Sequence, residues 1–220
     1  MSDRTVIVVA DDLGYDPAID RGILEAHRRG VVTAASALVD GPLAEAALRA
    51  APGTLAVGLH LDLPAGSDAA RARAEVERQL ARFESIRGAP PAHLDGHRHV
   101  HAEPPVLAEV LRAAGARRLR VRALDAAMRD RIRAAGALAC DRFEGDASLR
   151  PCWTPERLRA LARGVGEGTT EIMMHPGYAP THVRTSFGAE REIELAAATD
   201  PAVREAFRSA GATLAGALSG

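Results

Sequence analysis

Thr5-Val-Ile-Val-Val-Ala-Asp-Asp-Leu-Gly14 is a short apolar run that stops abruptly on two carboxylates. Read as a strand, it carries Asp11 and Asp12 to its carboxyl end. The pattern recurs down the chain, where short apolar runs alternate with longer Ala/Arg/Glu-rich stretches of helical character. Strands are expected at residues 5–10, 33–39, 55–61, 92–95, 119–121, 138–140, 171–174 and 213–217. Helices are expected at 19–29, 43–49, 69–86, 104–114, 123–135, 155–164 and 190–210, the last broken at Asp200-Pro201 because proline disfavours helix at the residue before it. Asp16-Pro17 and Thr154-Pro155 read as N-caps followed by proline at the first helical position. Strand–helix alternation on this scale implies an α/β fold of parallel strands with crossover helices. It leaves an open doubly wound sheet and a closed (β/α) barrel as alternatives.

At 220 residues, with no repeat or linker, one domain spanning 1–220 is expected. Net charge is −1, which argues against a chain that lives on nucleic acid or an anionic membrane. There is no Lys and no Asn, so every cation other than His is Arg. The densest basic stretch, with Arg117, Arg118, Arg120 and Arg122, reads as a solvated helix end and strand edge. Two cysteines, Cys140 and Cys152, are expected as reduced thiols rather than a disulfide framework. The first apolar run is too short for a signal-peptide core, and no segment approaches the roughly 18 residues of a membrane span. A cytoplasmic location is expected.

Acids and histidines gather at the strand ends. Asp11-Asp12 ends the first strand, His60 the third, the run His93-Leu-Asp-Gly-His-Arg-His-Val-His101 the fourth, and His175 the strand before Pro176-Gly177. That is the edge where α/β enzymes assemble their sites. Only His27 and His182 lie elsewhere, and both are expected on the surface. An Asp-Asp pair after a strand is often a helix cap, but capping falls more naturally to Asp16, leaving the pair free to act as a ligand and a base. If the segment after His93 is extended, alternate residues share a face; if it turns helical after Gly96, His97 and His101 face together. One carboxylate and two imidazoles with open positions make a catalytic metal site. Such a donor set suits zinc best and leaves manganese, iron, cobalt or nickel open.

The motifs Val8-Val-Ala-Asp11-Asp12-Leu-Gly14, Gly58-Leu-His60, His93-Leu-Asp-Gly-His97-Arg-His-Val-His101 and Glu171-Ile-Met-Met-His175-Pro-Gly177 resemble those of the YdjC-like (ChbG/HpnK-type) carbohydrate deacetylases. Arg191-Glu-Ile-Glu-Leu195 and Thr199-Asp-Pro-Ala-Val203 add to the likeness, which runs nearly the whole chain. The resemblance implies a distorted TIM-like (β/α) barrel with outer helices. It also implies a hydrolase of C–N bonds other than peptide bonds, removing acetate from an N-acetylated amino sugar in a chito-oligosaccharide, glycoconjugate or glycolipid. Carried over by position, Asp12, His60 and His97 would hold one divalent metal (zinc first, with magnesium, manganese, cobalt or nickel open). Asp11 would be the base and His175 the acid. Val9, Leu13 and Gly96 depart from the family's Asn, Phe and Ser, and the stretch between His60 and His93 is short. The pocket is therefore expected to be more open, or completed by a second subunit in a homodimer. The alternatives are a barrel hydrolase acting on a phosphoester or non-sugar amide, which two metals per site would favour, and a non-catalytic saccharide binder.

Overall fold

The structure, a computed structural model, describes residues 4–145, 148 and 150–218. Its strands are β1 (Arg4–Leu13), β2 (Ala34–Ala37), β3 (Ala56–Leu61), β4 (His93–Gly96), β5 (Arg120–Val121), β6 (Arg142–Glu144), β7 (Gly168–Met174) and β8 (Ala212–Leu214). The helices are α1 (Pro17–Arg29), α2 (Ala44–Ala50), α3 (Ala69–Arg87), α4 (Pro104–Arg117), α5 (Ala126–Ala134), α6 (Pro155–Gly164), α7 (Glu190–Thr199) and α8 (Pro201–Ser209). Every strand pairing is parallel, in the order β5-β4-β3-β2-β1-β7-β6, with β8 beside the first half of β1.

Two observations show that this sheet curls into a distorted barrel rather than lying open. First, residues 138–144 touch both ends of the strand order. Leu138 exchanges backbone hydrogen bonds with Leu119 and Val121 beside β5, and a few residues later the Asp141 N–H donates to Thr169 while β6 pairs with β7. Second, Arg122, just past β5, contacts Asp11 on β1 and Glu171 on β7, which only a curled sheet permits. The strand expected at 138–140 is thus displaced. Leu138 contributes a single bridge to Arg120, and the paired strand forms four residues further on, where the chain crosses to β7.

Period-2 alternation sorts the strands into an outer and an inner face. Val6, Val8 and Ala10 of β1 join the main core beneath the helices, whereas Ile7 and Val9 join a separate small cluster with Ala34 and Cys140. Continuing that inner face upward gives Asp11, Ser36, His60, His93, Asp95, Arg122 and Glu171, all buried. The upper interior of the barrel is therefore polar and ionic. Asp16 and Thr154 cap α1 and α6 through their side chains, each followed by proline, as expected from the sequence, and at the expected break Asp200 caps α8 in the same way. No helix among the described residues is long and apolar enough to cross a membrane.

Gly58, on β3, packs directly against a buried ring of the interior. A Cβ there would sit 2.3 Å from the His93 ring, which is fully buried and held by Ser36. Since the ring has nowhere to retreat, Gly58→Ala should cost about 1–3 kcal/mol through overpacking, read as a lower midpoint in urea unfolding. A midpoint equal to wild type would show that the interior can yield.

Candidate metal centre

Five side chains singled out by the sequence line one cavity of about 340 Å3: Asp11, Asp12, His60, His97 and His175. Asp12 reaches it by an unusual backbone, with φ of 76° in the left-handed region, at the bulge where the pairing of β1 with β2 shifts register. The strand therefore turns its last two acids to one side: Asp11 keeps the inward direction of Ile7 and Val9, and Asp12 joins it at the rim.

Around Asp12 stand two imidazoles. His97 Nδ1 lies 3.2 Å and His60 Nε2 3.6 Å from the same oxygen, Asp12 Oδ1. The three ligand atoms, one per residue, lie within 4.8 Å of one another, close enough to share one ion. His60 is aimed by Asp95: its Nδ1–H donates to Asp95 Oδ1 at 2.7 Å, which turns Nε2 toward Asp12. This carboxylate–imidazole arrangement fixes the tautomer a metal ligand needs. Burial opposes charge on the His60 ring, yet Asp95, Asp11 and Asp12 outweigh it and push its pKa up to about 9. So much negative potential at one imidazole is what a divalent cation would balance, and the donor set fits such an ion. A second cluster, Asp11, His60 and Asp95, also has metal-like spacing. Its carboxylates are already taken by Arg122, which forks onto both Asp11 oxygens at 2.8 Å and also holds Asp95 at 2.8 Å.

The His93–His101 segment is neither extended throughout nor regularly helical. β4 ends at Gly96 and a 3-10 turn follows over His97–Ala102, in which Arg98 and His99 have φ of 52° and 59°. That turn delivers His97 to Asp12, while His101 points inward and donates from Nε2 to the Arg122 carbonyl. Asp95 orients His60, as described. His99 lines the cavity, and its buried Nδ1 has no partner among the described residues. His182 is exposed, whereas His27 is half-buried and held by the Val32 carbonyl and the Thr54 hydroxyl.

Burial pushes the His101 pKa down to about 3, so the folded protein keeps this ring neutral. Below pH 6.5 the unfolded chain binds a proton the folded chain refuses, so stability falls as pH drops from 6.5 toward 3, by about 1.4 kcal/mol per pH unit from this group. His101→Asn, which retains a donor for the carbonyl, should flatten the acid limb of a stability–pH curve. An unchanged slope would assign the acid sensitivity to other groups.

Several residues that build the centre were not evident from sequence. Arg120 and Arg122 are buried rather than solvated: both engage Glu171, and Arg122 also binds Asp11 and Asp95. Arg117 and Arg118 alone fit the surface reading. The period-2 spacing in Leu119-Arg-Val-Arg122 was the available signal, since it puts both guanidinium groups on one face. Burial would raise the Asp11 carboxyl, but Arg122 overrides it and holds the group below the usual carboxylate range. Arg191, on α7, is equally buried and bonds Asp12 Oδ2 on the side away from His97. Together with the His97 hydrogen bond it outweighs burial and keeps Asp12 well below that range. Ser36 donates to Asp95 Oδ2 at 2.5 Å and accepts from His93 Nε2 at 2.8 Å. α3 fills most of the chain between His60 and His93, so no long loop overhangs the cavity from that side.

The YdjC-like protein family profile matches residues 5–72 and 65–209. A carbohydrate deacetylase of Geobacillus stearothermophilus is 35% identical, covering 90% of this chain and 90% of its own. A chitooligosaccharide deacetylase of Serratia marcescens is 32% identical, covering 95% and 96%. Among solved structures, an Enterococcus faecalis protein described as acting in cellobiose-phosphate cleavage superposes with a TM-score of 0.86 at 27% identity, covering 97% of each chain. A family 4 acetyl xylan esterase from Clostridium thermocellum shares the fold more distantly, with a TM-score of 0.57, 16% identity and coverage of 97% and 95%. With the Asp11-Asp12 and His93–His101 motifs converging on one cavity and a family profile spanning almost all of the chain, this protein belongs to the YdjC-like family.

Proposed function

We propose that residues 1–220 act as one hydrolase domain that removes the acetyl group from an N-acetylated amino sugar with the help of one divalent metal ion. The observation that carries this reading is the convergence of Asp12, His60 and His97 beside Asp11 in a single cavity. The named activities of the relatives, carbohydrate and chitooligosaccharide deacetylases, supply the substrate class.

A divalent ion there would act as a Lewis acid, polarising the amide carbonyl and acidifying water. Asp12, His60 and His97 would hold it, with Asp95 and Arg191 fixing the orientation of His60 and Asp12. Asp11, kept ionised by Arg122, takes the proton from the attacking water. His175, at the cavity rim beside Phe187, gives a proton to the departing amine. The mixed nitrogen and oxygen ligands suit zinc best. Arg122 occupies the second acidic cluster, which argues against a two-metal phosphoesterase.

The test is acetate release by protein stripped of metal and reloaded with zinc, cobalt, nickel, manganese or magnesium. The substrates are N-acetylglucosamine, chitobiose, longer chito-oligomers and an N-acetylglucosaminyl lipid. Metal-dependent acetate from any of them supports the reading and ranks the substrates. Metal bound stoichiometrically with no acetate from any substrate would move the reading to another bond or to a binding role.

A further inference from the structure

One wall of the cavity is assembled from separate pieces of chain, the end of β7 with Met173 and His175 and the loop carrying Phe187; behind β7 lies the Cys152-Trp153 segment before α6, which lines a neighbouring pocket and donates from the Trp153 indole to the Met173 carbonyl. What joins them is one face of α7. Arg191 and Glu194, three residues apart, lie on neighbouring turns of that face. Arg191 bonds Asp12, donates from Nε to the Phe187 carbonyl, and accepts the Gly177 N–H with its own carbonyl. Glu194 is completely buried and reaches the other two pieces: Oε2 accepts the His175 N–H at 2.6 Å, and Oε1 accepts the Cys152 N–H at 3.0 Å and the Trp153 N–H at 3.4 Å.

We infer that Glu194 is a positioning residue that sets where the His175 imidazole stands relative to the Asp12 centre, and that α7 is the ruler between them. The inference rests on the deacetylase reading for its kinetic consequences, not for its geometry. Burying a carboxylate is unfavourable, and here the backbone donors explain why the chain does so. Three N–H groups approach both oxygens, and only an acceptor-only group satisfies them all. A glutamine in the same place has one accepting oxygen, so its NH2 must face either the His175 N–H or the Cys152-Trp153 pair. One arm of the clamp is lost, and β7's end is no longer fixed to the helix that holds Asp12. Arg191 is untouched by this change, so the metal ligands stay in place.

The test is a double-mutant cycle with Glu194→Gln and His175→Ala, run in zinc-loaded protein. Glu194→Gln should lower kcat by about 10- to 100-fold with KM within about three-fold and zinc affinity unchanged, while adding little further loss in the His175→Ala background. Glu194→Asp, which keeps the charge but withdraws it by one methylene, should behave in the same way and serves if the glutamine variant does not fold. A crystal structure of either variant should show the His175 ring displaced from the cavity rim. Additive losses, or an undisplaced ring with full kcat, would overturn the inference. If the wild type releases no acetate, the deacetylase reading fails by itself, and the displacement of the ring still decides the role of Glu194.

Discussion

Arg122→Met should destabilise the protein by about 3–5 kcal/mol, the usual cost of removing one partner from a buried ionic cluster. The size follows from what the guanidinium holds. Its Nη atoms fork onto Asp11, one of them also meets Asp95, and Nε meets Glu171, all with the side chain wholly buried. Methionine would fill much of the space but leave three carboxylates in the barrel interior, with Arg120 beside Glu171 and the His60 imidazole beside Asp95 as the neighbouring positive charges. Arg122→Lys should rescue little, because a point charge with rotating donors cannot serve three carboxylates in fixed directions. Chemical unfolding at neutral pH reads both. A loss below about 1 kcal/mol in Arg122→Met would mean that the cluster is compensated in some other way.

Asp11→Asn should lower kcat by about 100- to 10,000-fold, the range ascribed to a general base, with little change in KM. Unlike Asp12, Asp11 is not placed among the ligand atoms around His97; its two oxygens are committed to Arg122. Asparagine keeps the shape and one accepting oxygen but cannot take a proton from water. The ion should therefore remain bound in this variant. Loss of metal together with activity would instead make Asp11 a ligand and move the base elsewhere.

The two neighbouring aspartates also show how far the chain could be read without coordinates. The β1 run ending in Asp11-Asp12, the strand-end positions of His60, His97 and His175, the Asp16 and Thr154 caps and the break at Asp200-Pro201 are local patterns, and local patterns survive folding. What stayed hidden depends on closure of the barrel. Arg122 meets Asp11 across 111 residues and Arg191 meets Asp12 across 179, pairings that only the curled sheet and α7 create. An Arg-rich stretch of sequence resembles a solvated surface until one knows that carboxylates from β1, β4 and β7 wait inside. The turn at Arg98 and His99 was equally illegible, since a left-handed pair of non-glycine residues has no composition signal of its own. The displaced strand at Arg142–Glu144 belongs to the same class: apolar Leu138–Cys140 looks like the better strand, but the seam between the two sheet edges falls further along.

The centre itself is tested most directly by counting zinc ions retained per chain after gel filtration, in the wild type and in Asp12→Ala, His60→Ala, His97→Ala and Asp11→Asn, with folding checked by thermal unfolding. One ion in the wild type and in Asp11→Asn, and almost none in the three ligand variants, is the expected result. A full ion persisting in Asp12→Ala, or none in a folded wild type supplied with zinc, would contradict the assignment of Asp12, His60 and His97 as the metal centre.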